Sequence, residues 1–335
     1  MTLEPAVTAM AARIPRWLVT PASLAAMAAV ARQLPPSMTD RAIFELALEP
    51  EGSPLDVSFF CRSGSAGVLT LADLSDSRLP RPLRDHDVWM RLRAFSAEWS
   101  RIEPGIAAHA THPAHVWLEF DHDAWQGDVP VPSVFLGFRP GALSANGSLS
   151  RILETIGRPA SAAEIDLLDR CLRAPALSGR YVDLGVMFSR PGGGLRLVVH
   201  GVGDALGDAL ADVGLSSSAG LVSMLGTLRG VGATTNVSLD LGDRIGPAVG
   251  VEYQLTGRIG ADRSGWVDLL DRLVALGCCP PASRDALLEW PGGSVVTLED
   301  RLAPATIVRK INHIKLTWRS SLPLRAKAYL LARAF

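Results

Sequence analysis

The feature that most constrains this chain is a one-for-one alternation of polar and apolar residues in segments that come in pairs. Each pair follows an amphipathic helical stretch, about five times over. From Ala42 to Pro50, Ile43, Glu45, Ala47 and Glu49 fall on one face, and Phe44, Leu46 and Leu48 on the other. Leu55 to Arg62 sets Asp56, Ser58, Phe60 and Arg62 against Val57, Phe59 and Cys61. Trp117, Glu119 and Asp121 oppose Val116, Leu118 and Phe120, and Asn236, Ser238 and Asp240 oppose Val237, Leu239 and Leu241. Near the end, His313, Lys315 and Thr317 oppose Ile314, Leu316 and Trp318, while Arg325, Lys327 and Tyr329 oppose Ala326, Ala328 and Leu330. Period two means strands with one face for packing and one that accepts water.

The helices that cover the apolar faces are legible as well. Thr20 and Pro21 open one, with Leu24, Met27, Ala28 and Ala31 on its stripe and Pro35-Pro36 as its stop. Val88, Leu92, Phe95, Trp99 and Ile102 step by three and four in a second. Ser161 and Glu164 have capping-box spacing ahead of Ile165, Leu168 and Leu172. Leu206, Leu210 and Val213 mark a fourth, with Leu221 to Leu228 as a continuation. The fifth runs from Gly265 to Leu276 and ends at Gly277. Strands at Tyr181 to Ser189 and Leu195 to His200, and at Asn236 to Leu241 and Val249 to Leu255, are joined by short turns that require antiparallel pairing.

The expected fold class is α+β: a closed antiparallel barrel of about ten strands, built from helix-strand-strand repeats with the helices outside. Two open sheets would give the same alternation, but they would leave unpaired edges that closure removes. No linker divides the 335 residues, so one domain is expected over 1–335, with 280–304 as an inserted lid or substrate-contacting arm. The charge of −1, from 33 basic and 34 acidic residues, implies no attraction to nucleic acid or anionic membrane. No apolar run has the length of a membrane span, and no secretory signal is legible. Four cysteines without zinc or disulfide spacing fit a reduced, cytoplasmic setting.

If the polar faces line one lumen, it is acidic early and basic late. Glu45, Glu49, Asp56, Arg62, Trp117, Glu119 and Asp121 come from the first half. Arg196, His200, Asp240, either Glu252 or Tyr253, His313, Lys315, Arg325, Lys327 and Tyr329 come from the second. Cations converging from separate strands suit a diphosphate, because no single lysine neutralises one and Arg adds bidentate geometry. A carboxylate nearby, such as Glu45, suits a general base.

Phe44-Glu45-Leu46-Ala47 with Ser58-Phe59-Phe60, Gly194-Leu195-Arg196-Leu197, and Val251-Glu252-Tyr253 together carry a resemblance. With the strand order, they resemble the ABBA or PT-barrel prenyltransferases, most of all the cyanobactin peptide prenyltransferases. The resemblance implies transfer of a prenyl group from its diphosphate to a side chain of a peptide or small aromatic acceptor. Glu45 would be the base, and Arg62, Arg196, Lys315, Arg325 and Lys327 would hold diphosphate, with a magnesium ion as a candidate assistant. Phe60, Trp117, Glu119, Asp240, Glu252, Tyr253, His313 and Tyr329 would shield the allyl cation or bind the acceptor. Such enzymes surround the cation with tyrosines, and this chain has three in all. That count favours a second reading, a non-catalytic peptide-binding accessory protein of a peptide-modification pathway. A third is a metal-dependent enzyme built on His109, His112, His115 and His122.

Overall fold

The computed structural model describes residues 2–49, 52–74, 79–101, 113–122, 128–143, 148–190, 192–215, 219–231, 234–255, 263–298, 304–320 and 322–335. His109 and His112 lie outside them. The strands are β1 (Arg41–Ala47), β2 (Leu55–Arg62), β3 (His115–Phe120), β4 (Ser133–Phe138), β5 (Val182–Val186), β6 (Leu195–Val199), β7 (Thr234–Leu241), β8 (Ile245–Gln254), β9 (Gly292–Val296), β10 (Ala305–Arg319) and β11 (Arg325–Ala334). β1 to β8 pair in sequence, β8 pairs with β10, β10 with β11, and β11 returns to β1, all antiparallel. Ten strands therefore close a barrel, and β9 adds an edge to the front part of β10.

β10 can serve both neighbours because a bulge divides it. Ile311 faces Leu330 and His313 faces Tyr329, so Asn312 is the extra residue. Before the bulge β10 pairs with β9, and after it with β8. β9 and the helix before it, α11 (Pro281–Glu289), account for most of the stretch expected as a lid or arm, and no residue of either lines the lumen. Trp290 anchors the corner by donating its indole N–H to the Lys310 carbonyl at 3.1 Å.

The remaining helices are α1 (Glu4–Ala11), α2 (Pro21–Arg32), α3 (Ala66–Leu71), α4 (Arg81–Arg84), α5 (Asp87–Ser100), α6 (Ser148–Thr155), α7 (Ala162–Arg173), α8 (Leu206–Asp212), α9 (Ala219–Thr227) and α10 (Arg263–Ala275). The expected caps form. Thr20 accepts the Ser23 amide ahead of α2, and α7 opens on the full Ser161–Glu164 capping box. Gly277, at φ +70°, ends the turn after α10, where the Cys278 amide reaches back to the Leu273 carbonyl. The expected continuation of the fourth helix is instead two helices, α8 and α9. Gly214, at φ +81°, turns the chain after α8.

The main core lies between the outer strand faces and the helices. Phe44, Phe59, Leu118, Leu136, Leu184, Leu239, Val251 and Ala328 are fully buried there among Trp89, Leu168 and Leu270. A second, small apolar cluster of Phe135, Met187 and Val198 with Trp117 is separate from it, on the inner face.

Candidate active site

Two cavities of about 510 and 500 Å³ occupy the lumen end to end, sharing Arg196, Lys315 and Tyr329 as lining. The first is a charged mouth. Its centre is Glu45, a β1 side chain only 5% exposed. Lys327 donates to Glu45 Oε1 at 2.5 Å and also lies 3.6 Å from Asp56. Register explains the group, since Glu45 faces Asp56 on β2 and Tyr329 on β11, and Lys327 faces Lys315 on β10. Burial pushes the Glu45 carboxyl up, but Lys327, Lys315 and the Tyr329 hydroxyl outweigh it and hold it at about 2. Asp56 goes the other way. Burial and the Glu45 charge raise it to about 7, although it accepts the His122 amide.

Like Lys327, the other inward cations of the mouth each have a carboxyl group nearby. Arg190 reaches Asp121 at 2.7 Å and Glu119 at 3.0 Å, and Arg196 reaches Asp240 at 2.7 Å. Lys315 donates to Ser238 at 3.0 Å and lies 3.5 Å from Glu252. Glu119 stays protonated to about 8 because it is buried beside Glu45 and Asp121. Lys315 can lie flat only because Gly250 stands below it, where a Cβ would come within 2.6 Å of its Cε. Arg319 and Arg325 complete the rim and are exposed.

The far half is aromatic and rich in hydrogen-bonding groups. Phe60, Trp117, Phe135 and Tyr181 line it together with His115, His200, His313, Asp183, Asn236 and Glu252. The Phe60 and Trp117 rings are 4.7 Å apart, and His313 stacks on Tyr329 at 3.9 Å between centroids. The bulge at Asn312 sets that stack, and burial drives the His313 imidazole down to about 4, so it is neutral at physiological pH. Asp183 lies between two imidazoles, 2.7 Å from His200 and 3.2 Å from His115, and the Tyr181 hydroxyl is 2.9 Å from His115 Nδ1.

Glu45, Lys327, Lys315, Arg196, Arg325 and Asp240 therefore share the mouth, while Phe60, Trp117, Glu119, Glu252, His313 and Tyr329 surround the far half and its junction. Two expected residues lie elsewhere. Tyr253 is buried on the outer face of β8 with Val249 and Val251, because Glu252 takes the inward parity. Arg62 is exposed at the far end of β2, level with His115 and about 20 Å of extended strand from Asp56. Of the four histidines of the metal reading, the two described ones lie apart. His115 faces Asp183, whereas His122 follows the other end of β3, and among the described residues no group of three or more His, Cys, Asp or Glu has metal-binding geometry.

The lumen also holds residues that alternation did not single out. Arg190 comes from the β5–β6 turn, where period two does not apply, and Ser189 beside it is clamped to Asp121 and to Ser133. Gly137, Gly185 and Gly250 are inward positions over which larger neighbours lie, and a Cβ at Gly137 would come within 2.4 Å of the His115 ring. Inward glycine in an alternating strand was the available signal.

No protein-family profile and no curated protein matches the sequence. Solved structures do, over nearly the whole length. The prenyltransferase PriB, in a ternary complex with L-tryptophan and dimethylallyl thiolodiphosphate, is 16% identical at a TM-score of 0.55, covering 98% of this chain and 96% of its own. The 5-dimethylallyltryptophan synthase from Streptomyces coelicolor is 13% identical at 0.52, covering 98% and 95%. The 6-dimethylallyltryptophan synthase from Micromonospora olivasterospora, in complex with DMASPP and Trp, is 14% identical at 0.51, covering 98% and 97%. The chain has the PT-barrel (ABBA) fold, as expected.

Proposed function

We propose that this chain moves an allylic prenyl group from its diphosphate to an aromatic acceptor inside the lumen. The observation that carries the reading is the division of one lumen into a cation-lined mouth and an aromatic far half, with an ionised carboxylate, Glu45, at the mouth side of their junction. Proteins of the same fold that hold a prenyl diphosphate analogue and tryptophan add support.

Diphosphate would lie against Arg190, Arg196, Lys315 and Lys327, with Arg325 and Arg319 at the rim. Each of these four inner cations already has a carboxyl partner, so the ligand must take the place of carboxylates. Asp56 and Glu119 are suited to yield, because they hold protons up to about 7 and about 8 and then stop competing for the cations. The allylic C–O bond breaks with its electrons leaving on diphosphate. Cationic charge then develops at the junction, beside Tyr329, Trp117 and Phe60, whose ring faces stabilise it and exclude water. The acceptor ring attacks from the far half, and its displaced proton passes to Glu45. A carboxylate held near 2 is a weak base, which suffices for the strongly acidic cation formed when an aromatic carbon is alkylated.

Glu45, Glu119, Asp121 and Asp240 are committed to Lys327, Arg190 and Arg196, and among the described residues no group of three or more His, Cys, Asp or Glu has metal-binding geometry, so the residues present do not fit magnesium. At the outer rim of the far half, Arg41, Gln254 and Asn312 offer the donors and acceptors that a main chain would use. They extend the proposal to an aromatic residue presented by a peptide. The prenyl diphosphate donor and four buried free thiols fit a cytoplasmic setting, and no helix among the described residues is long and apolar enough to cross a membrane.

The test is incubation with dimethylallyl diphosphate and either free aromatic amino acids or capped aromatic peptides, read by mass spectrometry. A gain of one prenyl mass that is lost in Glu45→Gln supports transfer. The paired state of the cations and the outward Tyr253 favour the non-catalytic peptide-binding reading. Peptide binding without transfer, to any acceptor, would establish that reading instead.

A further inference from the structure

Glu45 is suited to taking a proton from an alkylated ring carbon but is a poor base toward a neutral hydroxyl, because Lys327 sits on it at 2.5 Å. The far half contains a different acid–base group that this mechanism does not use. His200 follows β6, lines the cavity with its side chain 31% exposed, and is held through Nε2 by Asp183 at 2.7 Å. Its other nitrogen, Nδ1, has no partner among the described residues. Asp183 is 8% exposed and is flanked by imidazoles on both sides. His115 approaches its Oδ1 at 3.2 Å without hydrogen-bond alignment, leaving that oxygen and His115 Nε2 unsatisfied. Tyr181 holds His115 from behind. The absence of a side chain at Gly137 makes room for both rings. A carboxylate that grips one imidazole nitrogen and leaves the other toward a cavity is the arrangement that sets the tautomer of a general base.

We propose that His200, oriented by Asp183, is a second general base of the lumen, and that it serves an acceptor prenylated on a phenolic oxygen. The proposal rests on the prenyl-transfer reading above and names its substrate class. In the step, the allylic C–O bond breaks and its electron pair leaves with diphosphate. A lone pair of the phenol oxygen forms the new C–O bond, and the hydroxyl proton passes to His200 Nδ1 and on to solvent. The aromatic walls, Phe60, Trp117, Phe135 and Tyr181, suit a phenol ring better than an aliphatic alcohol. The groups facing His200 are Tyr181 and Asp183 of the β5 strand and its approach, His115 of β3, Asn236 of β7, Glu252 of β8 and His313 of β10. Burial lowers the affinity of His200 for a proton, and the bond and charge of Asp183 more than restore it, so the ring titrates above an ordinary imidazole. Ether formation should therefore show an acid limb, rising with pH as His200 loses its proton.

The experiment offers the full chain dimethylallyl diphosphate with phenolic and indolic acceptors, free and in peptides, and locates the new bond by NMR. The wild type should give an aryl prenyl ether. His200→Gln should lower kcat for the ether about 10²-fold with little change in KM for the donor. Asp183→Asn, if folded by circular dichroism, should move the acid limb to lower pH, which loss of packing alone would not do. Should that variant not fold, the acid limb of the wild type and its absence in His200→Gln decide. An ether rate indifferent to His200, or transfer to carbon only, overturns the inference and leaves prenyl transfer standing. No transfer to any acceptor removes both.

Discussion

The mouth and the far half of the lumen are lined by the same strands, yet they solve the problem of buried polarity differently. β2 gives Asp56 to one and Phe60 to the other, and β3 gives Glu119 to the junction but Trp117 and His115 to the far half. In the mouth, cations and carboxyl groups pair within 2.5–3.6 Å. In the far half, polar atoms are held by rings and by glycine-made space, and His115 Nε2, His313 Nε2 and Asp183 Oδ1 have no hydrogen-bond partner among the described residues. Distance along a strand, rather than which strand, thus sets the chemistry. A ligand entering the mouth must exchange partners with existing ion pairs, whereas one entering the far half meets groups already desolvated and unsatisfied.

The sharpest way to break this division is at Glu45. Glu45→Gln should reduce transfer to a ring carbon by about 10²-fold or more, with the fold intact by circular dichroism. A loss confined to the acceptor KM would place Glu45 with the far half instead. Gly137→Ala should disturb the far half alone. Its methyl would lie 2.4 Å from the His115 ring and 2.5 Å from the Tyr181 hydroxyl, for a cost of about 2 kcal/mol in urea unfolding. Isothermal titration with inorganic pyrophosphate should show its mouth affinity little changed. If that affinity fell in parallel, the two halves would be one cooperative unit.

A smaller effect tests the mouth through pH. Asp56 and Glu119 hold protons more tightly folded than unfolded, so their contribution is full at acid pH and is lost as pH rises through about 7 and about 8. Stability in urea should fall from about pH 4, where the unfolded carboxyls ionise, to about pH 8 and level off above it, by up to about 1.4 kcal/mol per pH unit for each group within its own range, and Glu119→Gln should flatten the decline. Below about pH 4.5 Glu45 acts oppositely. Held at about 2, it adds stability above its unfolded value that is lost as pH falls toward 2. The smallest change expected is a control outside both halves. Ser161→Ala removes the α7 cap and should cost about 1 kcal/mol without altering either binding event.

Alternation made much of this lumen legible because parity is physical. Once Phe44 and Leu46 pack against helices, Glu45 has nowhere to point but inward, and the same logic places Trp117, Arg196, Lys315, Lys327 and Tyr329. On β8 the pattern Val251-Glu252-Tyr253 offers an apolar residue on one parity and an amphipathic one beside an acid, so Tyr253 read equally well on either face. Only the register with β7, where Glu252 faces Asn236, settles it. Arg62 had the right parity but the wrong height, which depends on strand stagger rather than on spacing. Arg190 was beyond reach because turns have no parity. The depth of His313 depends on a one-residue bulge that leaves no compositional mark.

The closure of the barrel has a kinetic side. β1 is joined to β11, with Arg41 facing Arg333, so the last seam of the wall links residues from nearly opposite ends of the sequence. Every other barrel seam except β8–β10 joins strands adjacent in the chain. Folding can therefore proceed hairpin by hairpin, but the lumen exists only when the most distant pair has met, a search of high contact order. Until then the edges of β1 and β11 stand open to other copies. Refolding yield should depend on protein concentration, and the geometry of the lumen should be the last property recovered.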